Sequence, residues 1–183
     1  MKNLVLTLAI ALISLTAFSQ DKHSTTSGHI KFFSSTPAED IEANNYKVTS
    51  IIKPTEGTIV FSVPMQSFEF EKALMQKHYN SKKFLNTKQF PKGKFKGTIT
   101  NLADIDFTTD GTYEATVTGT LTIHGVAKEI TEKFSLAVQG EAITGTTTFD
   151  LVLADYGVVF TKGKPSENIA KNIKITANLN YTK

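Results

Sequence analysis

Gly119-Thr120-Leu121-Thr122-Ile123-His124-Gly125-Val126-Ala127-Lys128 closes one alternating run of sequence and opens another. Before the His-Gly pair, Tyr113, Ala115, Val117, Gly119, Leu121 and Ile123 fall at every second position. After it, Ile130, Phe134, Leu136 and Val138 keep the same period. Polar Thr, Glu and Lys fill the places between. Successive side chains of a strand point to opposite faces, so the pattern predicts two strands, each buried on one face. Gly125 tolerates the positive φ that a chain reversal demands. The stretch reads as the central hairpin of an antiparallel sheet. Val117, Leu121 and Ile123 share its inner face, and Thr118, Thr120 and Thr122 its outer one.

The same period continues outward. Residues 21–29 read as a loose polar stretch, followed by a first strand near Gly28 to Ser34. Thr36 to Asn45, with Pro37, Glu39, Asp40 and Glu42, reads as a turn or a short helical start. Tyr46, Val48, Ser50 and Ile52 alternate, Pro54-Thr55-Glu56-Gly57 turns, and Ile59, Phe61, Val63 and Met65 return. Phe95, Gly97 and Ile99 form a strand before the Thr109-Asp110-Gly111 turn. Beyond the hairpin, Gln139-Gly140 breaks the run and Phe149, Leu151 and Leu153 alternate. Gly157, Gly163 and Pro165 mark an irregular connection, with a brief helical turn expected at residues 167–171. Ile173, Ile175, Ala177, Leu179 and Tyr181 make the last strand.

One segment changes period. Phe70, Ala73, Leu74 and His78 sit at i, i+3, i+4 and i+8, while Glu69, Glu71, Lys72, Gln76 and Lys77 face away. With Ser67 as cap and acidic residues in the first turn, this predicts one short amphipathic helix. Eight or nine strands with turn signals at short intervals imply an all-β fold, a barrel or a sandwich.

Composition narrows the functions. Every one of the 20 basic residues is Lys, and the net charge is only +3. Nucleic-acid recognition relies on the bidentate Arg fork, so that partner is excluded from the reading. The absence of Cys removes disulfides, thiol catalysis and zinc-thiolate sites. Lys2, the apolar stretch Leu4 to Leu15 and the small residues of Ala17-Phe18-Ser19 predict a signal peptide at residues 1–19, with cleavage before Gln20. The domain then runs from 20 to 183 in the periplasm or outside the cell. Removing Lys2 leaves 19 Lys against 17 acidic residues, a net +2.

Reactive constellations are sparse. His23, His29, His78 and His124 show no helical metal spacing. His124 is expected to bond local backbone at its turn. His78 reads either as a structural ring or as a polar contact at a cavity mouth. Asp104 and Asp106 read as a solvated edge, and no Gly-x-Ser-x-Gly elbow or phosphate loop occurs. No catalytic residue, metal ligand or cofactor is therefore assigned. Lys82, Lys83, Lys88, Lys92, Lys94 and Lys96 form a basic cluster, read as solvated surface or as an attractor of an anionic headgroup or membrane surface.

Leu121-Thr122-Ile123-His124-Gly125-Val126-Ala127-Lys128 resembles the central motif of the YceI-like family of secreted, lipocalin-like, polyisoprenoid-associated barrels. His78, Phe84-Leu85, Phe90-Pro91 and Phe95 resemble a second family run, and Asp155-Tyr156-Gly157-Val158 a third element. The N-terminal part departs from the pattern, with residues 29–40 reading HIKFFSSTPAED. The resemblance implies an antiparallel lipocalin-like β-barrel with one short amphipathic helix. It further implies an exported, non-enzymatic binder or carrier of a long-chain isoprenoid lipid, polyprenyl or quinone-like. The expected cavity wall comprises Phe61, Met65, Phe70, Leu74, Met75, His78, Phe84, Phe95, Val117, Leu121, Phe149 and Leu151, and a transient contact with a membrane surface is expected. A solid-cored β-sandwich serving as a protein-interaction module fits the same alternation. A lipid-directed hydrolase or isomerase lacks any nucleophile-base pair.

Overall fold

The computed structural model describes residues 21–158 and 169–183. The leader expected at residues 1–19 lies outside the described residues, as do Gly163, Pro165 and the first two residues of the helical turn expected at 167–171; its remaining residues, Ile169 to Lys171, are not helical. The elements are β1 (His23–Ser35), β2 (Asp40–Lys53), β3 (Thr58–Pro64), β4 (Glu69–Phe70), α1 (Ala73–Asn80) and β5 (Lys92–Ile99). They continue with β6 (Gly111–Ile123), β7 (Val126–Gln139), β8 (Ala142–Val152) and β9 (Asn172–Tyr181). Short 3-10 turns stand at Met65–Ser67, Leu102–Asp104 and Leu153–Tyr156.

All pairings are antiparallel. The strand order β1-β9-β8-β7-β6-β5-β3-β2 closes on itself through β1–β2, and β4 adds to β2 from outside. The fold is an eight-stranded closed barrel, not two stacked sheets with free edges. In β5 the alternation is perfect: Gly93, Phe95, Gly97 and Ile99 are buried, while Lys92, Lys94, Lys96 and Thr98 are exposed. The β6–β7 hairpin pairs Gly111↔Val138 through Ile123↔Val126 without a break. His124 and Gly125 both take positive φ, 52° and 79°, which is the two-residue turn whose twist matches the flanking strands.

Closure is complete at one end only. There, β7 and β8 pair from Ser135↔Thr146 to Gln139↔Ala142, and β2 and β3 from Thr49↔Ser62 to Lys53↔Thr58. Toward the other end both pairs of strands part, although each strand runs on. The wall thus divides into two four-stranded sheets, β2-β1-β9-β8 and β3-β5-β6-β7. Asn45, fully buried, spans the β2–β3 parting: its Nδ2 donates to the Pro64 carbonyl at 2.9 Å and its Oδ1 accepts from Lys47 N–H at 2.9 Å. The closed end is solid, packed with Val48, Ile52, Ile59, Ile99, Val117, Leu136, Ile143 and Leu179.

Three local expectations are corrected. Residues 21–29 are not loose; β1 starts at His23, and His23 and Thr25 are buried. Thr36 to Asn45 is not a helical start. Thr36 Oγ1 accepts from Glu39 N–H at 3.2 Å in a tight turn, and Asp40 onward is strand, with Glu42 on the face opposite Ala43. The helix begins at Ala73 rather than after Ser67. Ser67 ends a 3-10 turn, Phe70 lies on β4 opposite Ala43, and Lys72 is the helix's extended first cap without a side-chain bond.

Candidate functional site

The parted end encloses a cavity of about 850 Å³. Its floor is aromatic. Phe61 and Phe95 meet edge to face at 5.9 Å, and Phe61 and Phe134 lie 6.1 Å apart. These rings belong to the solid core below and face the cavity above. The two wall sheets contribute Ile30, Phe32 and Ile41, then Phe149, Leu151, Ile173 and Ile175, and from the other side Val63, Leu121, Ile123 and Ile130.

The segment between β3 and β5 fills the β2–β3 parting and forms the cover. Tyr79 is its hub, with ring centroids 5.0 Å from Phe70, 5.7 Å from Phe68, 5.9 Å from Phe32 and 6.2 Å from Phe84. Burial pushes the Tyr79 hydroxyl well above its ordinary pKa, so the ring stays neutral. The loop after α1 is pinned by Thr87, fully buried, whose hydroxyl donates to Asn80 Oδ1 at 2.7 Å. Leu74 is 62% exposed at the rim, next to His78, which is also exposed.

Of the residues expected in the wall, Phe61, Met65, Phe70, Leu74, Met75, His78, Phe84, Phe95, Leu121, Phe149 and Leu151 line the cavity. Val117 does not: it is fully buried in the solid end, one inward step beyond Gly119 from Leu121. The sequence reading missed Phe32, Phe68, Tyr79, Ile173 and Ile175, all of which line the space. Tyr79 escaped because the helix was phased from Phe70. Starting the helical period at Ala73 would have placed Met75 and Tyr79 on one face.

The three motif stretches meet at the β6–β7 turn. Phe90 packs edge to face on His124 at 4.6 Å, and a Cβ on Gly125 would stand 2.6 Å from the Phe90 ring. His124 Nδ1 lies 3.3 Å from the Tyr156 carbonyl. A carbonyl only accepts, so this contact makes Nδ1 the protonated nitrogen. The expected bond to local backbone is corrected: the partner is 32 residues away, and His124 fastens the Leu153–Tyr156 turn to the hairpin.

Charged groups are few on the lining. Glu39 and Lys72 form an ion pair at 2.8 Å, and Lys83, Lys94 and Glu132 also border the space. Lys82, Lys83, Lys88, Lys92, Lys94 and Lys96 are all exposed, and none is in an ion pair among the described residues. His29 lies on the barrel's outside, stacked on Tyr46 at 4.5 Å and bonded to Asn44 Oδ1 at 2.8 Å. Asp106 belongs to a loop. Its carboxylate accepts from Thr108 N–H, Thr108 Oγ1 and Thr109 Oγ1 at 2.6–2.8 Å, which lowers its pKa to about 2. Among the described residues no group of three His, Asp or Glu side chains is placed to hold a metal ion.

The closed antiparallel barrel is shared with solved structures. A family model of the YceI-like domain matches residues 14–181. The chain belongs to the YceI-like family. Among curated relatives, a UPF0312 protein of Shewanella denitrificans is 28% identical over 131 residues, covering 67% of this chain and 64% of its own. Another, from Pseudomonas fluorescens, is 30% identical over 125 residues, covering 64% and 61%. The chain thus spans less than two thirds of the length of these relatives. Three solved structures share the fold. One is a polyisoprenoid binding domain from Saccharophagus degradans implicated in plant cell wall breakdown (TM-score 0.73, 14% identity, 89% of this chain and 98% of that one). The second is BcnA of Burkholderia cenocepacia (0.69, 18%, 85% and 96%). The third is the YceI protein of Campylobacter jejuni (0.62, 16%, 77% and 84%).

Proposed function

We propose that this YceI-like protein is an exported, non-enzymatic binder or carrier of long-chain isoprenoid lipids, polyprenyl or quinone-like, with the chain held between the parted sheets. The observation that carries the reading is the apolar cavity of about 850 Å³ over the Phe61, Phe95 and Phe134 floor. That volume lies near the top of the range of roughly 300–1,000 Å³ found for small-molecule pockets. An isoprenoid tail offers only methyl and methylene surface, and its removal from water yields about 25 cal/mol per Å². The lining supplies burial rather than a paired nucleophile and base, which favours binding over turnover. The polyisoprenoid-binding domain of Saccharophagus degradans supports this ligand class.

In this reading the lining residues from Phe61 to Leu151 named above contact the tail, and Leu74 and His78 meet it at the rim. The unpaired lysines beside the cover favour a transient contact with an anionic membrane surface, using point charges rather than a fork. The leader at residues 1–19 supports release into the periplasm or beyond.

The test is purification from the native host, organic extraction and mass spectrometry, followed by lipid titration of the delipidated protein. A co-purifying isoprenoid that rebinds is expected. Folded protein that carries no lipid and binds none in titration would overturn the reading. N-terminal sequencing of the same sample should begin at or near Gln20, and a retained Met1 would refute export.

A further inference from the structure

The parting of β7 from β8 has definite edges. At its base, the Thr147 hydroxyl donates to the Lys133 carbonyl at 2.7 Å, just above the last paired residues Ser135 and Thr146. At its top, the His124 ring holds the Tyr156 carbonyl at 3.3 Å, which brings the Leu153–Tyr156 turn against the hairpin. Between these two bonds β7 and β8 share no pairing, and residues of both strands that border the interval also line the cavity. On the β2 side, the equivalent parting is filled by Asn45 and the aromatic cover. On the β7 side the Leu153–Tyr156 turn packs against β7, with buried Tyr156 near Glu132 at the top of the interval, and among the described residues no strand pairs across the rest.

Glu132 stands in this interval. It lies on the inner face of β7 between Ile130 and Phe134, and it borders the cavity. Every other carboxylate or ammonium on the lining has an alternative. Glu39 and Lys72 neutralise each other at 2.8 Å, Lys83 is exposed, and Lys94 belongs to the outward set of β5. Among the described residues no hydrogen bond or ion pair engages the Glu132 carboxylate. Its surroundings add negative charge: Asp150 acts on Glu132, and both Asp155 and Glu132 act on the Tyr156 hydroxyl. Partial burial and Asp150 together raise the Glu132 pKa above the ordinary carboxylate value.

We propose that the opening between β7 and β8 is a lateral mouth of the cavity, and that Glu132 accepts a hydrogen bond there from the polar end of the bound lipid, selecting a hydroxyl end over a phosphate end. The inference rests on the carrier reading and names the ligand's polar group. A carboxylate accepts strongly from an O–H donor and gains a charge-assisted bond. A phosphate offers only further negative charge next to Glu132 and Asp150, and close like charges disfavour each other. Discrimination of about tenfold follows from one such bond gained or opposed.

The experiment titrates the delipidated protein, Glu132→Gln and Glu132→Leu with three probes: a long-chain polyprenol, its monophosphate and squalene. Squalene presents isoprenoid surface without a polar end, so its binding reports an intact cavity in each variant. The unmutated protein should prefer the prenol to the monophosphate about tenfold. Glu132→Gln should strengthen monophosphate binding by about tenfold and change prenol binding by less than about threefold. Glu132→Leu should abolish the prenol's advantage over squalene. If all three proteins rank the probes identically while binding squalene, this inference fails and the carrier reading stands. If the unmutated protein binds none of the three, the carrier reading itself falls and takes the inference with it.

Discussion

At one end of the barrel, Ile99, Val117 and Leu136 meet across strands whose ladders close the ring. At the other end the same strands carry Phe95, Leu121 and Ile130, and these side chains face about 850 Å³ of space. Both ends use the same inward-outward alternation and comparable side chains. The difference lies in the pairing. Where β2–β3 and β7–β8 remain in register, the perimeter is small enough for apolar side chains to meet at the centre. Where both ladders stop, the sheets diverge and the same side chains no longer reach one another. Gly97 and Gly119 are cross-strand partners at the changeover. A Cβ on Gly119 would stand 2.4 Å from Gly97 Cα, and one on Gly97 would stand 2.6 Å from the Phe95 ring. The ring folds over this bare stretch and becomes the floor.

The largest expected effect is at the solid end. Leu136 is 1% exposed there, so Leu136→Ala leaves a void and should cost about 2–5 kcal/mol in denaturant melts. Lipid affinity of the remaining folded protein should hardly change. Equal losses of stability from Leu136→Ala and from a cavity-wall truncation would erase the distinction between the ends.

Gly119→Ala tests the changeover itself. The new methyl meets backbone, namely Gly97 Cα and the Lys96 carbonyl, which cannot swing away as a side chain can. Strand separation should cost about 1–3 kcal/mol, as for overpacking elsewhere. The floor should shift with it, so affinity for a long isoprenoid should fall together with stability. A variant as stable as the unmutated protein would show that the β5–β6 approach has slack.

Leu121→Ala removes a side chain that borders the open space. Fewer protein atoms lose a neighbour, so the ligand-free protein should lose less than about 2 kcal/mol. Isoprenoid affinity should weaken several-fold, because each buried methylene accounts for about 0.8 kcal/mol. Thr120→Ala, on the outer face, should change neither quantity. A loss of stability in the upper part of the core range, with lipid binding intact, would contradict the hollow-wall reading of Leu121.

How much of this was legible follows from what alternation encodes. Period two reports which side chains point inward, and so the β6–β7 hairpin, the inner face of β5 and the barrel class were readable from residue spacing and motif. It does not report how far the opposite wall stands, and so Val117 and Leu121 looked alike although one is core and the other cavity wall. Two local signals misled in physical terms. Glu39, Asp40 and Glu42 mimic an acidic helix start, but Glu39 closes a turn and from Asp40 the chain is a strand on which Asp40 and Glu42 are exposed. The extra residue in β2 between Asn45 and Val48, opposite Ile30 and Gly28, flips the alternation. Tyr46 is therefore 54% exposed rather than inward. Glu132 had no sequence signature, because a polar residue at an inward position becomes informative only once the β7–β8 parting is seen.

The smallest effect concerns the loop that covers the solid end. Ile105 is buried in that core, and the next residue, Asp106, gathers hydrogen bonds from Thr108 and Thr109. Those bonds favour the ionised carboxylate and bring its pKa to about 2, against about 3.9 for an unstructured Asp. A folded-state pKa below the unfolded one means that the unfolded chain binds the proton first as the medium acidifies. The contribution of Asp106 is therefore fully present above about pH 5 and fades as the pH falls from about 4 toward 2. Because the group is solvent-exposed, water and salt screen much of it, and the effect should be small. Denaturant melts of the unmutated protein and Asp106→Asn at pH 7 and at pH 3 isolate it. The variant should be slightly less stable at pH 7, and the gap should narrow at pH 3, with lipid affinity equal in the two proteins at pH 7. A gap that widens on acidification would reverse the sign and show that the loop holds the protonated form instead.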